Sequence, residues 1–330
     1  DLENEESLRA FRRVVKELPG LYDLRPEFVG CDLHPDYLST HEAKASGLPI
    51  NAVQHHIAHV FACMGENHLG APLLGVSWDG TGLGEDGRVW GGEFFQVSEE
   101  AVKRVAHLRY FGLPGGEAGI QEPRRSALGV LLAMSDRPED EWGDLPLFAA
   151  FGESERKLVL QAARRGLNMP MTSSMGRLFD VVASLTGARQ IASFEGQAAM
   201  ELEFAARESE QAAAYSFELF VEEATLLIDW EPLIREIVQD VRQGTSLDVI
   251  SSRFHATLVE MIVRVARQIG EKRIVLTGGC FQNRLLTEWS VRRLREEGFE
   301  IYWHHQLPPN DGAIAAGQLL AAKHKSYKGV

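Results

Sequence analysis

His55 and His59 stand four residues apart in a segment, 53–64, whose apolar residues recur at helical spacing. On a helix that interval sets both imidazoles on one face about a turn apart, near enough to share one metal ion. The same spacing suits two hydrogen-bonded helix histidines, so the pair alone leaves both readings open. His56 points elsewhere and reads as structural. No Glu follows His55, so the H-E-x-x-H arrangement of zinc proteases lacks its general base. Asp79 closes a predicted strand and Asp311 opens a predicted helix, each beside glycine in a loop from which a carboxylate can turn into a shared cleft. Singly, each is equally a turn or N-cap residue. Together, two imidazoles and two carboxylates form a donor set suited to a divalent ion such as iron or zinc.

Glycines mark a second kind of chemistry. Gly80-Thr81-Gly82 and Gly278-Gly279 fall at predicted strand ends, where backbone N–H groups can approach phosphate oxygens and a hydroxyl can add a donor. Tight turns use the same residues, and neither segment matches the P-loop or the dinucleotide fingerprint. Asn283, just after the second glycine pair, and Asp180 are placed to hydrogen-bond a ribose or a base edge, with capping or surface solvation as the plain alternative. Arg124 and Arg125 follow a rigid Gly- and Pro-rich stretch and offer charge for an anion, although first-turn solvation accounts for them as well. Cys280 has no partner base in the sequence and reads as a small buried residue rather than a nucleophile.

These residues need a scaffold, and the periodicity supplies one. Helices are predicted at 6–18, stopped by Pro19-Gly20, at 40–46 and at 53–64; strands at 28–31, 73–78 and 88–97, the last two joined by the Gly-rich connection 79–87. A helical stretch follows at 124–134, 153–165, 175–185 and 197–214. A hairpin at 217–221 and 224–228 leads to helices at 232–242 and 246–269, then strand 273–276, helix 284–297, strand 300–303 and helix 312–322. The pattern predicts α/β architecture in two lobes facing one cleft: a first lobe over 1–125, a helical junction or insertion over 126–215, and a second lobe over 216–330. With 330 residues, 45% of them hydrophobic, the chain can bury a sizeable core without disulfides. Its net charge of −13 argues against a surface devoted to nucleic acid or anionic membrane. Three widely spaced cysteines without a C-x-x-C, no apolar run of membrane-span length, and an acidic opening predict reduced thiols in a cytoplasmic protein.

Several of these segments, taken in order, resemble one family closely: Gln54-His55-His56-Ile57-Ala58-His59, Ser77-Trp78-Asp79-Gly80-Thr81-Gly82, Leu113-Pro114-Gly115-Gly116, Gly176-Arg177-Leu178-Phe179-Asp180, Phe194-Glu195-Gly196-Gln197, Thr277-Gly278-Gly279-Cys280-Phe281-Gln282-Asn283 and Pro309-Asn310-Asp311-Gly312. They are similar to the C-terminal part of the HypF family of hydrogenase-maturation carbamoyltransferases, and the resemblance runs from near residue 1 to about residue 322. It implies a two-lobed, actin-like or Hsp70-like ATPase fold, with the initial strands of the first lobe missing. It implies transfer of a carbamoyl group from carbamoyl adenylate to a C-terminal cysteine of HypE, the route to the cyanide ligand of nickel–iron hydrogenase. By motif position, His55, His59, Asp79 and Asp311 become ligands of a divalent metal, iron or zinc. Gly80, Thr81, Asp180, Gly196, Gly278, Gly279 and Asn283 become contacts to ATP or carbamoyl adenylate. The family's acylphosphatase-like region, zinc fingers and adenylate-forming domain are absent from this sequence. The chain is therefore expected to be a fragment that transfers the carbamoyl group without making the adenylate. Two other readings stand beside this one: an O-carbamoyltransferase acting on a small-molecule hydroxyl, and a non-catalytic, nucleotide-switched docking module.

Overall fold

The computed structural model describes residue 2 and residues 4–206 and 213–324. Helix α1, Glu5–Leu21, starts where the Asn4 side chain accepts from the Ser7 amide, with Glu5 and Glu6 placed against the helix dipole. It runs through Pro19 instead of stopping there. The lost amide donor sits near the end, and the Leu24 amide closes back on the Pro19 carbonyl at 2.8 Å. Strand β1, Val29–Asp32, is followed by α2, Leu38–Ala45, and by β2, Ile50–Val53, which pairs in parallel with β1. Sequence reading missed β2, because Ile-Asn-Ala-Val is too short to alternate clearly and becomes a strand only through that pairing. Helix α3, His55–Glu66, begins two residues later, with the Gln54 side chain accepting from the Ile57 amide at 3.0 Å.

The remaining strands form one mixed sheet: β3 (Leu73–Leu83), β4 (Val89–Val97), β5 (Val102–Leu108), β6 (Phe111–Gly112), β7 (Met171–Thr172), β8 (Glu218–Glu222), β9 (Thr225–Asp229), β10 (Arg273–Thr277) and β11 (Glu300–Trp303). Its main path is β11-β10-β3-β4-β5-β9-β8, so strands from both ends of the chain share one sheet. The alternation along β3 separates two cores. Leu74, Val76 and Trp78 pack with the helices Met175–Leu185 and Leu247–Ile269, whereas Leu73 packs with Val60, Phe61 and Val97 under α3. Strand β5 was not expected; its register with β4 is broken between Phe94 and Phe95, which obscures a period of two. The helix predicted over 197–214 ends at Ala205, and 207–212 lie outside the described residues.

The connection expected over 79–87 is mostly strand. β3 continues to Leu83, and its register against β4 shifts between Trp78, opposite Gly92, and Gly82, opposite Trp90. A bulge of this kind re-aims side chains at a sheet's edge. Here it falls on Asp79, Gly80 and Thr81.

Candidate metal and nucleotide site

Helix α3 leaves the end of β2 with His55 in its first turn and His59 one turn further on, both buried. Gly82 lets the helix come this close, since a Cβ there would lie 2.5 Å from His56 Cε1 and 2.9 Å from His55 Cδ2. The bulge in β3 points Asp79 at the same place: its Oδ2 lies 3.3 Å from His55 Nε2 and 2.9 Å from His59 Nε2. Asp311 arrives from the 3₁₀ turn Asp311–Ala313, with Oδ1 at 3.4 Å from His55 Nε2 and 3.5 Å from His59 Nε2. One ligand atom from each of the four residues falls within 4.8 Å of all the others. Two Nε2 atoms and two carboxylate oxygens converging on one point are a donor set that fits a single divalent ion.

The surroundings hold these groups in place. His55 Nδ1 faces Asp32 Oδ2 at 3.0 Å, which fixes the ring so that Nε2 points at the cluster. Asp79 Oδ1 accepts from the amides of Gly80 at 2.8 Å and Gly279 at 3.1 Å, leaving Oδ2 for the imidazoles. Burial opposes charge on both histidines, yet the carboxylates of Asp311 and Asp79, joined by Asp32 at His55, raise both above the ordinary histidine range. Burial pushes Asp79 the other way, and the hydrogen bonds from His55 and His59 outweigh it, holding the acid well below its usual range. His56, by contrast, is driven down to about 3 by burial and by the neighbouring His55, and it contacts Gln54 Nε2 through Nδ1. It is a neutral packing residue, as its place on the helix predicts.

Of the candidate nucleotide residues, Gly80, Gly278 and Gly279 adjoin this cluster, though not for the anticipated reason. Gly278 adopts φ +95° with its missing side chain against the Trp78 carbonyl, where a Cβ would lie at 2.3 Å. Its amide donates to the Pro309 carbonyl at 3.0 Å, and the amides of Gly279 and Gly80 donate to Asp79. Two of the N–H groups expected to face phosphate thus hold the Asp79 carboxylate, and the third holds the Pro309 carbonyl. Thr81 is half-buried beside them in β3, and Gly196 is an exposed left-handed residue at the start of the helix Gln197–Ala205. Asp180 is buried on the helix Met175–Leu185. Arg177 Nη1 comes within 3.0 Å of it but donates to the Ile120 carbonyl, so Asp180 Oδ2 has no hydrogen-bond partner. Burial pushes the Asp180 acid up to about 6, with Arg177 opposing and Glu195 adding to the effect. The Asn283 side chain caps the helix Arg284–Glu296 through Oδ1, at 2.8 Å from the Leu286 amide, and donates through Nδ2 to His255 Nε2 at 2.9 Å.

Arg124 and Arg125 face neither solvent nor an open anion site. Arg124 is buried between Glu122 at 2.6 Å and Glu155 at 2.9 Å, and Arg125 pairs with the same two acids. Cys31, Cys63 and Cys280 are unpaired. Burial, with Asp79 nearby, holds the Cys280 thiol well above its usual range, which keeps it protonated. Sequence reading missed Asp32 and Arg177. Asp32 ends β1 directly after a predicted strand, and Arg177 lies three residues before Asp180 within a quoted motif; those were the only signals available. A groove of about 680 Å³ between α1, β1 and α2 opens onto His55 and Asp311.

Family models match almost the whole described chain: a HypF Kae1-like domain over residues 1–66, and the second subdomain of the carbamoyltransferase Kae1-like domain over residues 75–318. The chain belongs to the HypF carbamoyltransferase family. Carbamoyltransferase HypF of Synechocystis sp. is 38% identical over 97% of this chain and 43% of its own length. HypF of Rhizobium leguminosarum bv. viciae is 37% identical over 98% of this chain and 41% of its own. The crystal structure of full-length HypF in the phosphate- and nucleotide-bound form superposes with a TM-score of 0.91 at 38% identity, over 100% of this chain and 51% of that one. The chain therefore spans less than half the length of these two curated relatives. The expected α/β class of fold is the one observed, and the matching family models describe it as Kae1-like. No helix among the described residues is long and apolar enough to cross a membrane.

Proposed function

We propose that this chain performs carbamoyl transfer, moving the carbamoyl group of carbamoyl adenylate to the C-terminal cysteine thiolate of HypE, on the way to the cyanide ligand of nickel–iron hydrogenase. The observation that carries this reading is the convergence of His55, His59, Asp79 and Asp311 within 4.8 Å, in a family named for carbamoyl transfer. These four would hold one divalent ion, iron or zinc, whose charge the two carboxylates balance. Such an ion supplies Lewis acidity to a carbonyl or phosphate oxygen.

The chain's own residues align the reactants. Gly80, Thr81, Asp180, Gly196, Gly278, Gly279 and Asn283 form the face for ATP or carbamoyl adenylate, and the unpartnered Asp180 oxygen is an acceptor for a nucleoside hydroxyl or amino group. A relative solved in a nucleotide-bound form supports nucleotide binding as such. The acceptor thiolate attacks the carbamoyl carbon; the C–S bond forms as the C–O bond to phosphate breaks, and AMP leaves with the electron pair. Cys280, kept protonated by burial, stays out of this step. Alignment thus accounts for most of what the protein must contribute. The upstream adenylate-forming domains of longer relatives are the proposed source of the intermediate.

Two measurements test this reading. The metal-loaded chain, given synthetic carbamoyl adenylate and HypE, is expected to add one carbamoyl group to the terminal cysteine, seen by intact mass and by loss of free thiol. His59→Ala is expected to remove both bound metal and transfer. Undiminished metal in His59→Ala, or no thiol loss with the wild type, would overturn the reading.

A further inference from the structure

Asp311 differs from the other three candidate ligands. Its side chain is 75% exposed, and it sits at the end of an irregular stretch that begins after β11. Something must hold that stretch for Asp311 to reach the imidazoles. Glu66, the last residue of α3, provides the hold: its Oε1 accepts from the amides of His305 at 2.6 Å and Gln306 at 2.5 Å. Its Oε2 accepts from the Leu307 amide at 3.2 Å and from His304 Nδ1 at 3.0 Å. Three successive N–H groups wrapped on one carboxylate form an anion nest, here closed by a side chain of the protein itself. The Glu66 side chain is 6% exposed, and although burial disfavours its charge, the backbone and His304 hydrogen bonds keep the acid below its ordinary range. His304 in turn lies 2.9 Å from Thr277 Oγ1, which contacts the His59 carbonyl at 3.1 Å. Two residues beyond Leu307, the Pro309 carbonyl is fixed by the Gly278 amide.

We infer that Glu66 is a positioning residue for the metal site, acting through the 304–310 loop to deliver Asp311. One helix thereby does two tasks. Its first two turns present His55 and His59, and its last residue, about 16 Å along the axis at 1.5 Å per residue, clamps the loop that brings the fourth ligand. The amides of 305–307 donate to Glu66 and to no backbone carbonyl among the described residues. Loss of its charge therefore frees the loop rather than loosening α3, which is buried over most of its length.

This inference rests on the reading that the four residues hold a metal, and a double-mutant cycle separates the two. Cobalt(II) affinity and its visible spectrum would be measured by titration for wild type, Glu66→Gln, Asp311→Asn and the double variant, with thermal melts confirming that each is folded. Glu66→Gln is expected to weaken cobalt binding ~10- to 100-fold, as for other groups that orient ligands, and to shift the spectrum toward that of Asp311→Asn. In the Asp311→Asn background the same change is expected to have no further effect. Glu66→Asp, which keeps the charge, should recover part of the loss. Equal weakening in both backgrounds, or none in either, would overturn the clamp while leaving the metal reading intact. A wild type that binds no cobalt would overturn both.

Discussion

Two buried polar clusters flank strands β3 and β4, and they are built on opposite plans. Around Glu93, all the partners match. The carboxylate accepts from the Gly91 and Gly92 amides, from Arg104 Nε at 2.5 Å and from Ser173 Oγ; Arg104 also donates to Tyr110 Oη and lies over the Trp90 ring at 3.8 Å. Asp86 completes the set by accepting from Tyr110 and from Trp90 Nε1. Around His55 opposite charges also meet, but the set is left open. Two carboxylates face one point, the buried His59 Nδ1 has no partner, and Asp311 is open to solvent. A closed network in which every group is satisfied specifies a fold, whereas an open one with unfilled donors or acceptors marks a candidate ligand site. On the proposed reading, that contrast separates structural from functional burial in this chain.

The largest effect should fall on the closed cluster. Arg104→Met would leave Glu93 buried and unpaired, and is expected to cost about 3–5 kcal/mol in urea unfolding. Asp311→Asn, at the open cluster, is expected to cost about 1 kcal/mol or less, because the group is exposed, while sharply weakening metal binding. Similar stability losses from both would dissolve the distinction. A smaller effect sharpens it. Asp32→Asn leaves the His55 ring without its anionic partner, and metal affinity is expected to fall ~10-fold or more in a chelator competition, with the melting curve little changed. If Asp32→Asn unfolded the chain instead, Asp32 would belong with the structural groups.

The sequence made the open cluster partly legible because His55 and His59 are local partners at helical spacing, and Asp79 and Asp311 sit beside glycines. It could not show why Asp79 faces them, since that depends on a bulge between β3 and β4 rather than on the loop expected there. Asp32, Glu66 and Arg177 were missed for one physical reason. Each works through a partner far along the chain or through a backbone path set only by tertiary packing, as with Glu66 and His305, 239 positions apart. The same reasoning misplaced Arg124, whose short-range setting suggests solvent and whose partner Glu155 lies 31 residues away. Strand β2 was lost because four residues carry too little pattern without their neighbour β1. The long helices and strands β3, β4 and β10 were recovered because their periodicity is local.

The smallest expected effect concerns Asp180, which the proposed reading places on the functional side of the comparison because its Oδ2, beside Arg177, accepts no hydrogen bond. Its pKa is raised from 3.8 to about 6, chiefly by burial, with Arg177 offsetting part of the cost. A raised pKa means that the folded chain binds the proton more tightly than the unfolded one. Stability from this group is then complete below about pH 4 and is lost as pH rises through about 6. Asp180→Asn removes the titration and keeps the shape, so it is expected to stabilise the chain at pH 8 by about 1 kcal/mol and to change nothing near pH 4. The gain stays below the full linkage value because a buried amide also lacks partners there. Urea midpoints for both proteins at the two pH values measure the difference directly. If nucleotide affinity fell while stability rose at pH 8, Asp180 would be a group kept at a cost to the fold for the sake of its ligand. Equal stability at both pH values would instead return it to the closed, structural class alongside Glu93.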